Sequence, residues 1–310
     1  MEKIKIISYN IDGLPPQLDL RELPCPLRPL AWIYKMVKGT TLITVNDNDD
    51  VEWSNRQIGK MLADSCADIV AVQEDFDYHE ELLESMASEY DCGKHLGGFD
   101  LSRLWKATEW KSKFPLPRFK ADGLCLFARK DRVAIMGETI VGWKDSYGYV
   151  SHANDLMTHK GFRLYELAVG TAMIDVYVIH MDADFYNAET CPDVSGDLAA
   201  RHSQFGQLSD YILERYAAGS CRNVIIVGDT NSYPQYDWDD GARSFIDRVG
   251  KVLTVSEAVP TGSGDVDRLF FVNNPRAGFR FQLAACRYDR SVRLSDHYPL
   301  IVELSFSANK

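Results

Sequence analysis

With 310 residues, 45% of them hydrophobic and 25% charged, the chain has the composition of a globular protein with a sizeable core, which excludes a disordered protein. A net charge of −11 repels polyanions at long range, so a broad electrostatic grip on duplex DNA is excluded and any anion must be met locally. The longest apolar runs, such as Val224 to Val227, are strand-sized and far short of the ~20 residues that a membrane-spanning helix needs.

The N-terminus alternates charged and apolar residues as a strand does, and no apolar signal core follows, so a cytoplasmic location is expected. Coarse periodicity and short apolar runs predict strands near 3–9, 68–73, 122–128, 133–141, 162–168, 173–181, 223–228, 268–272, 280–286 and 299–305. Helices are predicted over 54–66, 77–88 and 194–217; in the last, Leu198, Phe205, Leu208, Ile212 and Leu213 recur at helical spacing. No repeat or Gly/Ser-rich linker divides the chain, so residues 1–310 read as a single catalytic domain, with insertions at 15–52 and 92–120. Many strands and few helices predict two packed sheets flanked by helices. Seven cysteines are scattered without a Cys-x-x-Cys, and an odd count leaves at least one unpaired. This points to reduced thiols and away from a thiolate zinc site.

One stretch departs from the acidic balance. Between Lys94 and Lys120, basic residues including Lys106, Lys111 and Lys113 are interleaved with Trp105, Trp110, Phe114 and Phe119. It reads either as a surface for a phosphate-bearing substrate or a membrane, or as a solvated segment whose aromatics pack on the body.

The chemistry gathers at strand ends. Ser8-Tyr-Asn-Ile-Asp-Gly-Leu14 ends a strand on Asn10 and Asp12, oxygen-bearing side chains suited to a hard cation, although such a sequence also makes turns. Asp68-Ile-Val-Ala-Val-Gln-Glu-Asp75 delivers Glu74, a natural Mg²⁺ ligand or, alone, a helix-capping carboxylate. A further strand ends on His180, and another, Asn223-Val-Ile-Ile-Val-Gly-Asp-Thr-Asn231, places Asp229 and Asn231 at the sheet edge. There a carboxylate able to take a proton from water sits beside an amide able to hold a phosphate oxygen. Asp267 precedes one apolar run, and Asp296-His297 precede the last. An Asp that accepts from one His nitrogen aims the other at substrate.

In that order, Tyr-Asn-Ile-Asp-Gly-Leu, Val-Gln-Glu, Ile-His-Met-Asp-Ala, Gly-Asp-Thr-Asn, Asp-Arg-Leu-Phe-Phe and Ser-Asp-His-Tyr-Pro resemble the motifs of the endonuclease/exonuclease/phosphatase superfamily over residues 3–305. The resemblance implies a four-layered α/β/β/α sandwich with one active site at the end of the two sheets. It also implies a Mg²⁺-dependent phosphodiesterase, with Mn²⁺ able to substitute. By the same resemblance Glu74 is the principal metal ligand, Asn10 and Asp296 complete or flank the metal site, and Asp12 lies nearby. Asp229 positions or deprotonates the attacking water and Asn231 holds the phosphate. His297, oriented by Asp267, and His180 stabilise charge on the pentacovalent phosphorane or assist the leaving group.

The subfamily marks point two ways. Asn154-Asp-Leu-Met-Thr-His-Lys-Gly-Phe162 is similar to neutral sphingomyelinases, whose Asp and Lys stand five apart as Asp155 and Lys160 do, unless these two merely form a surface pair. The Asn-Ile-Asp-Gly-Leu and Gly-Asp-Thr-Asn motifs look instead like tyrosyl-DNA phosphodiesterases. The expected substrate is therefore a lipid headgroup or small phosphodiester, with membrane-surface contact and no obligate protein partner. DNA-end processing is the alternative, and a binding module that has lost catalysis is the more distant one.

Overall fold

The structure, a computed structural model, describes residues 3–14, 17–19, 21, 32, 35–37, 39–44, 50–96, 99–100, 118–119, 121–148, 155, 158–184, 193–235, 238–260 and 264–308. The first strands in chain order are β1 (Lys3–Asn10), β2 (Gln17–Asp19), β3 (Leu42–Thr44), β4 (Ile69–Gln73) and β5 (Tyr90–Cys92). They are followed by β6 (Phe99–Asp100), β7 (Arg118–Phe119), β8 (Cys125–Arg129), β9 (Val133–Gly142), β10 (Gly161–Val169) and β11 (Ala172–His180). The remaining strands are β12 (Asn223–Asp229), β13 (Thr254–Glu257), β14 (Asp267–Asn273), β15 (Phe279–Tyr288) and β16 (Leu300–Ala308). The helices described along their whole length are α1 (Val51–Asp64), α2 (His79–Met86), α3 (Ser195–Ala217) and α4 (Gly241–Gly250).

Twelve of these strands form two six-stranded mixed sheets, ordered β15-β16-β1-β4-β8-β5 and β13-β14-β12-β11-β10-β9. Each sheet has one parallel pair near its middle, β1 with β4 and β11 with β12. The expected insertions hold two small two-stranded sheets, β2 with β3 and β6 with β7, apart from the main ones. No helix among the described residues is long and apolar enough to cross a membrane.

The layering follows from strand periodicity. Successive side chains point to opposite faces, so β1 sends Ile4 and Ile6 between the sheets while Ile7 and Tyr9 face the helices. In the other sheet Ile174, Val176 and Val178 of β11, Ile225 and Val227 of β12, and Leu269 and Phe271 of β14 fill the same inter-sheet layer. The outer face of the first sheet packs on Ile58 and Leu62 of α1 and on Leu82 and Met86 of α2. The outer face of the second packs on Phe205, Leu208 and Ile212 of α3 and on Phe245 and Val249 of α4. The result is the expected α/β/β/α sandwich.

Within the two main sheets and the helices packed on them, three elements were not foreseen, and the four short strands β2, β3, β6 and β7 were not predicted either. Helix α4 meets the core through Ala242, Phe245, Ile246 and Val249, a helical spacing that was not read from the sequence between its terminal glycines. Strands β5 and β13 are short edge strands, too brief to show a period. Helix α1 also begins three residues before the predicted start, because Val51 is buried.

A charged crosslink joins the sheets. Arg163 of β10, 1% exposed, donates Nε and Nη2 to the two oxygens of Asp122 at 2.7 and 2.6 Å, and Nη1 to Glu138 Oε1 at 3.0 Å. Asp122 lies just ahead of β8 in the opposite sheet, so this bidentate pair fixes one sheet against the other.

The parallel pairing of β11 and β12 depends on Gly228. Its φ is +144°, and an added Cβ would lie 2.1 Å from the Ile179 carbonyl oxygen. Gly228→Ala should therefore lower unfolding stability by about 2 kcal/mol or more through overpacking and backbone strain, measurable as a shifted urea midpoint with an unchanged m-value.

Candidate active site

The inter-sheet face of each central strand changes from apolar to polar at the same end of the sandwich. Continuing by twos, Ile4, Ile6 and Ser8 lead to Asn10, and Ile174, Val176 and Val178 lead to His180. Likewise Ile225 and Val227 lead to Asp229, and β14, running antiparallel, contributes Asp267 ahead of Leu269. His180, Asp229 and Asp267 are register partners in one row across β11, β12 and β14.

Backbone strain marks the turns that leave these strands. Asp12, Glu74 and Asn231 adopt positive φ of 50°, 59° and 48°. Such values are uncommon for residues with a Cβ and must be held by surrounding contacts. Glu74 is fixed because its carbonyl accepts Gly13 N–H at 3.0 Å while Asp75 N–H donates to Gly123 O at 3.0 Å. Gly13 is required there, since a Cβ would lie 2.4 Å from the Glu74 carbonyl oxygen. Asn231 is fixed by its N–H to Asp229 Oδ1 at 2.8 Å and its Nδ2 to Met181 O at 3.0 Å.

These strand ends make one connected cluster. Asn10 Nδ2 donates to Glu74 Oε1 at 3.0 Å and to Asp229 Oδ2 at 3.1 Å, while Asn10 Oδ1 accepts Asp12 N–H at 3.1 Å. His297 Nδ1 lies 2.6 Å from Asp267 Oδ2, leaving Nε2 directed into the site 3.8 Å from Asp229 Oδ2. His180 Nε2 is 3.6 Å from Asp229 Oδ2 and 3.8 Å from Glu74 Oε1. Asp296 is exposed at the rim beside a cavity of about 220 Å³, lined by Asp184, Asn231, Tyr233, Asp265, Val266, Asp296 and His297.

Burial and mutual charge divide the protonation states. Burial raises the Glu74 carboxyl, opposed by Lys160 and the Asn10 amide. Burial also drives the His180 imidazole well below its ordinary value, and Lys160 pushes it the same way, so it is neutral. For His297, burial is outweighed by Asp267 and then Asp229, and its value rises to about 11. Burial pushes Asp267 up to about 6 against the pull of His297, so the pair holds a proton on the imidazole at neutral pH. Asp229 is lowered, because protonated His297 above all, with the Asn231 N–H and Lys160, outweighs its burial.

Asp155 and Lys160 prove not to be a surface pair. They are 2% and 9% exposed and ion-paired, with Asp155 Oδ2 also accepting Ala183 N–H at 2.6 Å and Lys160 Nζ donating to Met181 O at 3.3 Å. Met181 and Ala183 follow His180, so the pair braces the loop behind the site. Lys106, Lys111 and Lys113 lie outside the described residues. Sequence reasoning did not single out Ser295, although it stands in the quoted Ser-Asp-His motif. Its Oγ donates to Asn10 O at 2.8 Å and accepts His297 N–H at 3.2 Å, tying the last loop to β1.

The donor set suits a hard divalent cation. Glu74 offers carboxylate oxygens in a pocket it shares with Asp229, Asp267 and Asp296, and burial, more than the charge around it, raises its protonation equilibrium. Donor atoms of Asp229, Asp267 and His297 lie within 4.8 Å of one another, which makes this a candidate metal-binding cluster.

A sequence profile described as the Endonuclease/Exonuclease/phosphatase family matches residues 7–297. No curated protein sequence matches the chain. Among solved structures, sphingomyelinase C from Streptomyces griseocarneus aligns at TM-score 0.60 and 18% identity, covering 98% of this chain and 99% of its own. A mutant beta toxin of Staphylococcus aureus with bound magnesium ions aligns at TM-score 0.61 and 16% identity, covering 97% and 99%. D. rerio TDP2 complexed with single strand DNA product aligns at TM-score 0.55 and 16% identity, covering 98% and 100%. At these identities the likeness is one of fold.

Removing one partner of a buried ion pair strands the other charge. Lys160→Met should cost about 3–5 kcal/mol of unfolding stability, whereas an exposed pair would cost under about 1 kcal/mol. Adding Asp155→Leu should recover much of the loss, measured by chemical denaturation of both variants.

Proposed function

The chain belongs to the Endonuclease/Exonuclease/phosphatase family, and from that premise and the site geometry we propose that it is a Mg²⁺-dependent phosphodiesterase. The observation that carries this reading is the convergence of Glu74, Asn10, Asp229, Asn231, His180 and the Asp267–His297 dyad at one end of the sandwich. Glu74 and Asp296 would hold the cation, with Asn10 fixing Glu74 and Asp12 nearby. When bound, the cation withdraws charge from a phosphoryl oxygen and Mn²⁺ can replace it.

The protein's own groups account for the rest. Asp229, kept ionised by its neighbours, accepts the proton of an attacking water. Asn231 and neutral His180 donate hydrogen bonds to phosphoryl oxygens as negative charge grows on them. His297, protonated and aimed by Asp267, stabilises that charge or gives a proton to the leaving oxygen. Fixed donors and a cation act most strongly where the pocket excludes water.

We read the substrate as a lipid headgroup or other small phosphodiester met at a membrane surface. The acidic net charge supports this, as does the buried Asp155–Lys160 pair at the spacing shared with neutral sphingomyelinases. The likeness in fold to sphingomyelinase C points the same way. One feature favours DNA-end processing as a second reading. Arg290 and Arg293 stack on Tyr298, with guanidinium carbons 4.9 and 4.4 Å from the ring centroid, next to His297. That basic, aromatic patch suits a single strand.

A substrate panel with Mg²⁺ separates the two: sphingomyelin vesicles, lysophospholipid, inositol phosphates, a 5′-phosphotyrosyl oligonucleotide and abasic duplex. Turnover of the oligonucleotide alone replaces the lipid reading, and turnover of none sinks both. Chelation should abolish activity on a generic diester, and Mg²⁺ or Mn²⁺ should restore it, whereas full activity in excess chelator refutes metal dependence.

The dyad provides a further check. Asp267→Asn and His297→Ala should each reduce kcat/KM by ~10²-fold or more, and the double variant should lose far less than the product of the two. Steady-state kinetics that show multiplicative losses would break the pairing.

A further inference from the structure

A second cluster of reactive side chains lies on the helix-facing side of the first sheet, and it does not rest on the phosphodiesterase reading. Cys92 ends edge strand β5 opposite Phe127 of β8, and Cys125 lies two residues before Phe127 on the same face. Cys125 Sγ reaches Gly93 O at 3.9 Å, next to Cys92 in the chain. Above them α2 opens with His79, whose Nδ1 lies 2.6 Å from Asp75 Oδ2. Asp75 is 1% exposed and its Oδ1 has no hydrogen-bond partner. Cys92 is exposed, whereas Cys125 is buried.

Asp75, His79 and His95 also present donor atoms within 4.8 Å of one another, but their geometry argues against a shared cation. The two imidazoles stack at 4.2 Å with planes 8° apart, so their in-plane lone pairs run parallel and cannot converge on one ion. His79 Nδ1 is engaged by Asp75, and His95 Nε2 donates to the Asp75 carbonyl at 3.0 Å.

We propose that Cys92 and Cys125 form a peroxide-reactive dithiol, in which the Asp75–His79 dyad holds Cys92 as the attacking thiolate and Cys125 is the resolving thiol. Hydrogen bonds from Cys125 and then His79 bring the Cys92 thiol down to about 5, and His79 itself is raised to about 9 because Asp75 and Cys92 outweigh its burial. Cys125 is held well above its ordinary value by Cys92 and by burial, so it remains a neutral thiol.

The chemistry balances with hydrogen peroxide as oxidant. The Cys92 thiolate attacks one peroxide oxygen, an S–O bond forms as the O–O bond breaks, and the departing hydroxide takes a proton from the His79 imidazolium to leave as water. The Cys125 sulfur then attacks the Cys92 sulfenic acid. An S–S bond forms, the S–O bond breaks, and the hydroxyl leaves as a second water with the Cys125 proton. Two thiols are oxidised and one peroxide is reduced.

The test uses the reduced 310-residue chain, with exposed Cys66 and Cys221 as internal references. Peptide mass spectrometry after brief iodoacetamide treatment at pH 6 should show Cys92 alkylated at least roughly tenfold faster than either reference. His79→Gln should slow Cys92 alkylation at least several-fold, and an unchanged Cys92 rate in that variant overturns the role of the dyad. Stoichiometric peroxide should then yield a Cys92–Cys125 crosslinked peptide under non-reducing conditions. In Cys125→Ala, which leaves the dyad intact, the crosslink should be replaced by a dimedone-trapped sulfenic acid at Cys92. Equal alkylation of the three exposed thiols, or peroxide oxidation without either product, overturns the proposal.

Discussion

The structure turns on one electrostatic constraint: several carboxylates share a desolvated pocket at the end of a dry apolar layer. Asp229 and Asp267 are each 1% exposed, and Glu74 shares an amide with Asp229. Charges so placed are costly unless each is hydrogen-bonded or paired. Nearly every polar feature near the site answers that cost. Asn10 bridges two carboxylates, His297 carries the proton that Asp267 needs, and the Asn231 N–H caps Asp229. Lys160, buried and paired with Asp155, supplies positive charge from behind. A divalent cation bound to these oxygens would offset the same cost further.

The same constraint explains why the strained turns lie where they do. Asp12, Glu74 and Asn231 occupy the left-handed region where the chain turns immediately after a strand, and the turns at Glu74 and Asn231 keep those side chains at the site. Gly13 and Gly228 provide the close backbone approaches that make this geometry affordable, one against Glu74 and one against Ile179. Rigidity at the site is then inherited from the two parallel strand pairs and the Arg163–Asp122 crosslink, rather than from the loops. Fixed donors of this kind need little reorganisation as charge develops, which is the main physical benefit of building a site on strand ends.

The opposite face of the first sheet shows how one turn serves two environments. Glu74 points to the inter-sheet pocket, whereas its neighbour Asp75 points to the helix side and engages His79. Two acid–histidine dyads, Asp267–His297 and Asp75–His79, therefore stand in the same protein at equal separations of 2.6 Å. Their surroundings differ. The first looks into a polar cavity bounded by carboxylates and the second onto a pair of thiols, and this divides oxyanion chemistry from sulfur chemistry.

Much of this was legible in the sequence because strands write their burial in period two. The apolar alternation of β1 and β11 and the continuous apolar run of β12 located the sheets, and the points where they end in Asn10, His180 and Asp229 located the site. The ordered motifs then linked those strand ends to one family. Other features left no local trace. Strands β5 and β13 are held by tertiary packing over lengths too short to show a period. The burial of the Asp155–Lys160 pair follows from the loop after β11 folding over it, which spacing alone cannot distinguish from a surface pair. The Cys92–Cys125–His79 grouping joins residues from two strands and a helix, and only the register of β5 on β8 brings it together. Sequence by itself determined which side chains are chemically able and which face each strand buries, since both are local properties. Tertiary structure decided which of them meet and in what protonation state, because contact and desolvation depend on segments far apart in the chain.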